Sequence, residues 1–188
     1  MQYLVRLAAV ALAFSFATQV QAQSYKVDPV HSNAVFRIKH ANAAPFWGLF
    51  RAPTGSFTLD QDAAKSSFKI EIPVENVYTG NEKRDAHLKS PDFFNSKQYP
   101  TITFTSKSVK KSGDKLEAAG DLTLHGVTKP VTVQIEQTGT GEFPPGVKRA
   151  GIEATLVVKM TEFEMKGMPG ALSDEVKVIV GLEGTQQQ

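Results

Sequence analysis

Ser66-Ser67-Phe68-Lys69-Ile70-Glu71-Ile72-Pro73-Val74 decides the fold class. Phe68, Ile70, Ile72 and Val74 fall on one side of an extended chain, with Lys69, Glu71 and Pro73 on the other. That period of two marks a strand with one apolar and one wet face. The pattern recurs on both sides of this stretch. Upstream, Ala34, Phe36, Ile38 and His40 share a face opposite Val35, Arg37 and Lys39. Downstream, Ile102 and Phe104 alternate with threonines, and Leu116, Ala118, Gly120, Leu122 and Leu124 alternate with Lys115, Glu117 and Asp121. Val131/Val133/Ile135, Ile152/Ala154/Leu156/Val158/Met160 and Val176/Val178/Val180/Leu182 continue the series.

Turn signals separate these runs: Lys111-Ser112-Gly113-Asp114, Gly126 to Pro130, and Gly139 to Gly146 with Pro144-Pro145. Strands spaced so regularly, with no long helical period, predict an antiparallel all-β fold. The reading places strands near 24–28, 32–40, 48–59, 66–77, 101–110, 115–125, 130–139 and 149–160, with a possible ninth at 174–183. Two features favour a barrel over a sandwich. The later strands reach about ten residues, as tilted staves must. Their inner faces also mix Gly and Ala with Leu, Ile and Val, leaving space that a sandwich core would fill. An eight-stranded barrel can hold one small ligand.

The period breaks once, between Thr79 and Phe94. Thr79-Gly80-Asn81-Glu82 reads as a capping box opening a helix of about two turns, and Pro91 stops it by Ser90. Asp85 and Lys89 stand at i,i+4 spacing. So short a helix is not stable alone, so Leu88, Phe93 and Phe94 must dock it on the barrel. A helical insert near 80–94 in an all-β chain reads as a lid or rim.

The first residues predict a targeting segment. Arg6 precedes an apolar run from Leu7 to Ala17 interrupted only by Ser15, and Val20-Gln21-Ala22 has the small residues a signal peptidase cuts after. The run is short of the ~20 residues a bilayer span needs; a membrane anchor is the alternative. Residues 1–22 are therefore read as a signal peptide cleaved after Ala22, and 23–188 as one domain. The chain holds no cysteine, hence no disulfide, thiolate metal site or acylated cysteine, which fits an exported, periplasmic protein stabilised by its core. Arg6 is the one charged residue before Gln23, so 20 basic residues face 19 acids beyond it. A near-neutral chain of mixed signs does not read as a nucleic-acid binder.

Several stretches together resemble the YceI-like, polyisoprenoid-binding family: Asp28-Pro29-Val30-His31-Ser32, Phe36 with His40, Gly48-Leu49-Phe50 and the Thr79–Phe94 insert. Tyr99-Pro100-Thr101-Ile102-Thr103-Phe104 and the run from Gly120 to Pro130 complete the ordered set, which spans nearly all of the mature chain. The resemblance implies an extended, lipocalin-like, eight-stranded antiparallel barrel whose interior takes an isoprenoid chain such as a polyprenyl phosphate or quinone. It also implies export to the periplasm and pairing as a homodimer. One stretch departs. Where the family usually reads Arg-Ser-Asp-Phe-Gly, this chain has Met160-Thr161-Glu162-Phe163-Glu164, so the guanidinium and the glycine are both missing. Met160, Met165 and Met168 instead supply soft apolar surface that suits a tail better than a phosphate.

The function expected is binding of a long isoprenoid for transport, storage or sequestration. A tail of ~40 carbons at about 0.3 kcal/mol per atom gives roughly 12 kcal/mol, near nanomolar affinity without a strong head-group contact. The lining candidates are Phe36, Ile38, Phe50, Phe57, Phe68 and Ile70 on the early strands, with Ile102, Phe104, Leu122 and Leu156 on the later ones; each could equally fill a core. Phe46 and Trp47, read as part of an Ala41–Trp47 loop, and Phe93 and Phe94 are rim aromatics that gate a cavity or pin a loop. Arg84 either pairs with a phosphate or carbonyl oxygen or bridges to an acid, with Asp85 and Asp92 in the same network. His40, His87, Leu88 and Phe163 complete the binding candidates. The four histidines show no metal-ligand spacing, so no metal is expected; His31 is read as bonding backbone near the first turn, and His87 as meeting Arg84. No catalytic motif emerges and no cofactor is required beyond a bound lipid or quinone. A periplasmic enzyme using His87 and Asp85 as acid and base, and a stress-induced structural domain, are the alternatives. Transient contact with a membrane or a membrane redox protein is the partner expected beside the lipid.

Overall fold

The alternating runs become strands that close on one another, in a computed structural model that describes residues 22–187. The expected leader, apart from Ala22, lies outside the described residues. The strands are β1 (Gln23–Val27), β2 (Asn33–His40), β3 (Ala44–Arg51), β4 (Thr54–Leu59), β5 (Ser67–Pro73), β6 (Val77–Tyr78), β7 (Thr101–Ser112), β8 (Lys115–Leu124), β9 (Val127–Glu142), β10 (Lys148–Lys159) and β11 (Leu172–Gln186). One helix, α1 (Glu82–Lys89), is the expected insert. All ladders between them are antiparallel.

Eight strands form a closed ring in the order β1-β4-β5-β7-β8-β9-β10-β11, with β11 returning to β1. This is the expected eight-stranded antiparallel barrel. Its extension comes from the length of β11. The 184–186 end of β11 pairs with β1, while its 172–181 part pairs with β2. From β2 a second wall runs through β3 to β6, alongside the other half of the barrel.

The single strand expected over 48–59 is two. Pro53 has no N–H for a ladder and Ala52 takes a left-handed φ of 55°, so the chain turns between β3 and β4. The two pieces then find different partners: β3 joins β2 and β6, β4 joins β1 and β5. The stretch expected as an Ala41–Trp47 loop is likewise mostly strand. Ala41 and Asn42, both at positive φ, make a tight turn and β3 resumes at Ala44. Over 66–77 the expected strand is interrupted by a 3₁₀ turn at Val74–Asn76, which hands the chain from β5 to β6. The ninth strand is real and longer than expected.

A bulge in β7 between Ser106 and Ser108 advances the alternation by one residue. Ile102, Phe104 and Val109 therefore all point inward despite their odd spacing, and Val109 meets Ala118 across the ladder.

The interior is not uniform. At the end formed by β1, β4, the end of β7 and the start of β10, Phe57 lies stacked between Tyr25 (ring centroids 5.2 Å) and Phe68 (6.5 Å). Val109, Ala118, Ala150 and Ile152 pack around them. Gly184 permits this plug, because a Cβ there would lie 2.7 Å from both the Phe57 ring and Tyr25. An ion-pair network ties the same end. The Asp28 carboxylate accepts from Arg149 Nη1 (2.9 Å) and stands 3.0 Å from His31 Nδ1, and Arg149 also bonds Glu183. His31 thus meets a side chain rather than the expected backbone partner.

Candidate functional site

The opposite half of the barrel is hollow. A cavity of about 570 Å³ opens between β2, β3, β5 and the facing walls of β7 to β11, within the range of roughly 300–1,000 Å³ in which proteins hold small ligands. The strand period explains the wall. Phe36 and Ile38 on β2, Phe50 on β3, Phe68 and Ile70 on β5, Ile102 and Phe104 on β7, Leu122 on β8 and Leu156 on β10 all face it, as the alternation implied. Met160, Met165 and Met168 border it as well. Gly48 makes room for Phe36: a Cβ at residue 48 would clash with the Phe36 ring.

Most polar residues of the wall gather on α1 and the last residue of β2. Asn81, Lys83, Arg84 and His87 come from the insert, and His40 from the strand end. Among the described residues no carboxylate lines the hollow. One end of an otherwise hydrocarbon cavity therefore carries basic and imidazole groups.

α1 is held by its own local chemistry. Its N-cap is Asn81, whose Oδ1 accepts from the Arg84 N–H (3.0 Å), in place of the capping box expected from Thr79. Thr79 has another task. It donates through its backbone N–H (2.9 Å) and its hydroxyl (2.5 Å) to Asp85, and accepts from Arg84 Nε (2.8 Å). A second Arg84 nitrogen donates to the Thr79 carbonyl (2.8 Å), and the guanidinium lies 4.4 Å from the Phe46 ring centre. The expected bridge from Arg84 to an acid is absent among the described residues. Asp85 accepts from both Thr79 donors, which lie two residues before the N-cap, and does not line the cavity. Lys89 pairs with Glu75 (3.1 Å) in place of Asp85, and Ser96 and Lys89 hold the Glu75 carboxyl below its usual range. His87 meets Asp92 (3.2 Å) and Phe93 (ring centroids 5.0 Å) in place of the expected Arg84, and the His87–Asp85 pair of the enzyme alternative does not form among the described residues.

Leu88, Phe93 and Phe94 dock the insert as its length required. Phe93 is buried, and Phe94 meets Phe50 edge-to-face at 5.2 Å, which in turn meets Phe36 at 5.8 Å. All three also border the cavity.

Four of the residues singled out from sequence stand elsewhere. Trp47 follows Phe46 on strand β3, not on a loop, so alternation turns it out of the barrel, where Arg37 lies 5.9 Å from its ring. Phe57 belongs to the plug at the far end. Asp85 is spent on Thr79. Phe163 packs behind the wall with Leu122, Leu124, Val158 and Met165, and its carbonyl lies 3.2 Å from His125 Nδ1. Conversely, the cap and first turn of α1 bring Asn81 and Lys83 to the cavity, and neither was among the expected site residues. The signal was available in the i,i+4 spacing of Lys83 with His87 on one helix face.

The departure at 160–164 has a structural reading. Met160–Phe163 form a 3₁₀ turn and Glu164 takes φ 56° at the position where the resemblance expects glycine. That left-handed conformation costs a residue with a side chain roughly 1–2 kcal/mol. Met160, at the expected arginine, puts a thioether in the cavity wall.

Among the described residues one group of metal-type donors converges: Asp28, His31 and Glu183, with ligand atoms within 4.8 Å of one another. Arg149 already bonds both carboxylates, so the cluster is an ion-pair network and lies at the plugged end.

The chain matches the YceI-like domain family over residues 25–184. It is 43% identical over 181 residues to protein YceI of Escherichia coli O157:H7, covering 95% of this chain and 94% of that one. In three dimensions it is similar to BcnA of Burkholderia cenocepacia, with a TM-score of 0.74 and 25% identity over 84% of this chain and 98% of that one. A Campylobacter jejuni YceI protein aligns at a TM-score of 0.70 and 28% identity, over 80% and 91% of the two chains. A polyisoprenoid-binding domain from Saccharophagus degradans shares the fold at a TM-score of 0.64 and 16% identity, over 87% and 98%.

Proposed function

This chain belongs to the YceI-like family, and from that premise we propose that it is a periplasmic lipid-binding protein whose barrel holds a long isoprenoid chain. One observation carries the reading: a cavity of about 570 Å³ walled by aliphatic, aromatic and methionine side chains, with its basic and imidazole groups at one end. Such a cavity takes a tail along its length and a small polar head at the mouth. Burial of the hydrocarbon supplies the affinity, at about 25 cal/mol per Å² of apolar surface removed from water.

The head group it suits is anionic or carbonyl-bearing. His40, Lys83, Arg84 and His87 offer polar groups, and Lys83 and Arg84 positive charge. Among the described residues no carboxylate lines the cavity, though Asp92 pairs with His87 from outside it. Arg84, held by Thr79 and Phe46, lines the cavity and keeps further donors beyond the two spent on Thr79. A polyprenyl phosphate and an isoprenoid quinone both meet this requirement. With methionine at 160, the head is recognised from α1 and the end of β2. The role is to carry, store or sequester the lipid.

The test is extraction. Protein purified from its host is treated with organic solvent and the extract identified by mass spectrometry. An isoprenoid in near-stoichiometric amount is the expected result. Straight-chain phospholipid alone, or an empty protein, would overturn the reading. Pairing as a dimer, also part of the proposal, is read by sedimentation velocity.

A further inference from the structure

On the wall of β7, β8 and β9 the outward face is polar and carries three ion pairs: Lys107 with Asp121 (2.7 Å), Lys110 with Glu117 (2.7 Å) and Lys115 with Glu136 (2.9 Å). The outer wall of β11, β2, β3 and β6 is built differently. Strand register sets Ile179, Val35, Leu49 and Tyr78 side by side in one row across the four strands. The next row, two residues along, reads Val157, Lys177, Arg37 and Trp47. Trp47, Val157 and Tyr78 are 49%, 59% and 44% exposed. Arg37 sits against Trp47, and the Arg51 guanidinium lies 3.9 Å from the Tyr78 ring centre.

Four cations, Arg37, Lys39, Arg51 and Lys177, stand on or beside these rows, and among the described residues none has a carboxylate within ion-pair distance. The face therefore combines apolar area, two amphipathic aromatics and unneutralised positive charge. Trp and Tyr settle at the head-group level of a bilayer, and basic side chains are drawn to anionic lipid. The face also adjoins the mouth: Trp47 follows Phe46 and Lys39 precedes His40, and both neighbours line the cavity.

We propose that this face docks the protein on the surface of an anionic bilayer and brings the cavity mouth to the lipid. The proposal rests on the isoprenoid-binding reading only for its purpose, since docking needs no cargo. A second copy is the poorer occupant. In a two-fold pairing the same patch meets itself, so four unpaired cations would face four more.

Trp47 is the one tryptophan in the chain, so its fluorescence reports this face alone. Purified protein is titrated with vesicles of phosphatidylglycerol and phosphatidylcholine, and separately with phosphatidylcholine alone; neither contains an isoprenoid. Emission is expected to move to shorter wavelength with the anionic vesicles only, and added salt should reverse it. Arg37→Gln and Lys177→Gln should each weaken partitioning about fivefold, and about twenty-five-fold together. Isoprenoid supplied in detergent should bind the double variant as it binds the wild type, because neither residue lines the cavity. The proposal falls if no shift occurs, if neutral vesicles shift it equally, if the double variant binds like the wild type, or if the shift follows protein concentration without vesicles. Absence of docking with isoprenoid still in the extract would sink this inference and leave the lipid-binding reading standing.

Discussion

The two ends of this barrel are built from the same alternating strands and reach opposite solutions. At one end Tyr25, Phe57 and Phe68, direct neighbours on adjacent strands, stack in a row, with Phe57 reaching over Gly184. At the other, aromatic residues of comparable size line the wall and leave about 570 Å³ between them. Composition does not separate the two. What separates them is reach. At the plugged end, Gly184 lets Phe57 and Tyr25 lie close over the backbone, so rings from neighbouring strands stack. At the hollow end the second wall of β2, β3 and β6, with α1 and its docked aromatics, lines one side of the space. Close packing in one half stabilises the shell and so permits the cavity in the other.

Substitution tests this contrast most severely in the plug. Phe57 is 1% exposed, and Phe57→Ala removes a ring that its neighbours cannot replace. A loss of about 3–5 kcal/mol in unfolding free energy is expected from urea denaturation. A cost below about 1 kcal/mol would mean that the plug is not what stabilises the shell.

Filling the hollow should do the reverse. Leu156→Trp projects an indole into the cavity from β10. Lipid recovered by solvent extraction should fall at least about tenfold, equivalent to about 1.4 kcal/mol of binding, while the urea midpoint stays close to that of the wild type. Unchanged recovery with unchanged stability would show that lipid does not occupy this space.

The smallest effect concerns the ion-pair network at the plugged end. His31 and then Arg149, bonded to its carboxylate, hold the Asp28 carboxyl far below the ordinary range, overcoming the opposing effect of its burial. A group depressed in the folded state contributes stability that is present above its unfolded value, near 3.9, and is lost as pH falls through the folded one. Thermal unfolding followed below about pH 4 should therefore show an acid-limb loss that Asp28→Asn reduces. An identical acid limb in the variant would remove Asp28 from the account. The insert at the hollow end adds a part of its own to that limb, because Ser96 and Lys89 hold the Glu75 carboxyl below its usual range.

Much of the wall was legible beforehand because a strand has only two faces. Once Phe68, Ile70, Phe104 and Leu122 are placed on an inner face, a barrel leaves them nowhere else to point. The errors share a cause too. Trp47 was misplaced because the Ala41-Asn42 turn, made by two non-glycine residues at positive φ, gave no turn signal, so the phase of β3 was lost. Pro53 did signal the break between β3 and β4, but not that the two pieces would join different neighbours. Asp85 has the chemistry of a mouth residue and is drawn away by Thr79, a competition between local hydrogen bonds that spacing does not rank.

Periodicity, turn residues and the absence of cysteine determined, from sequence alone, a cysteine-free antiparallel barrel with a short helical insert and a known set of inward side chains. Which of those side chains meet across the lumen and which face open space was decided only in three dimensions. Inward direction is a property of each strand by itself, whereas contact depends on which strand stands opposite and how close its backbone comes, as at Gly184 and Gly48. The same holds outside: alternation turns Trp47 and Arg37 outward, but only register sets them side by side near the mouth.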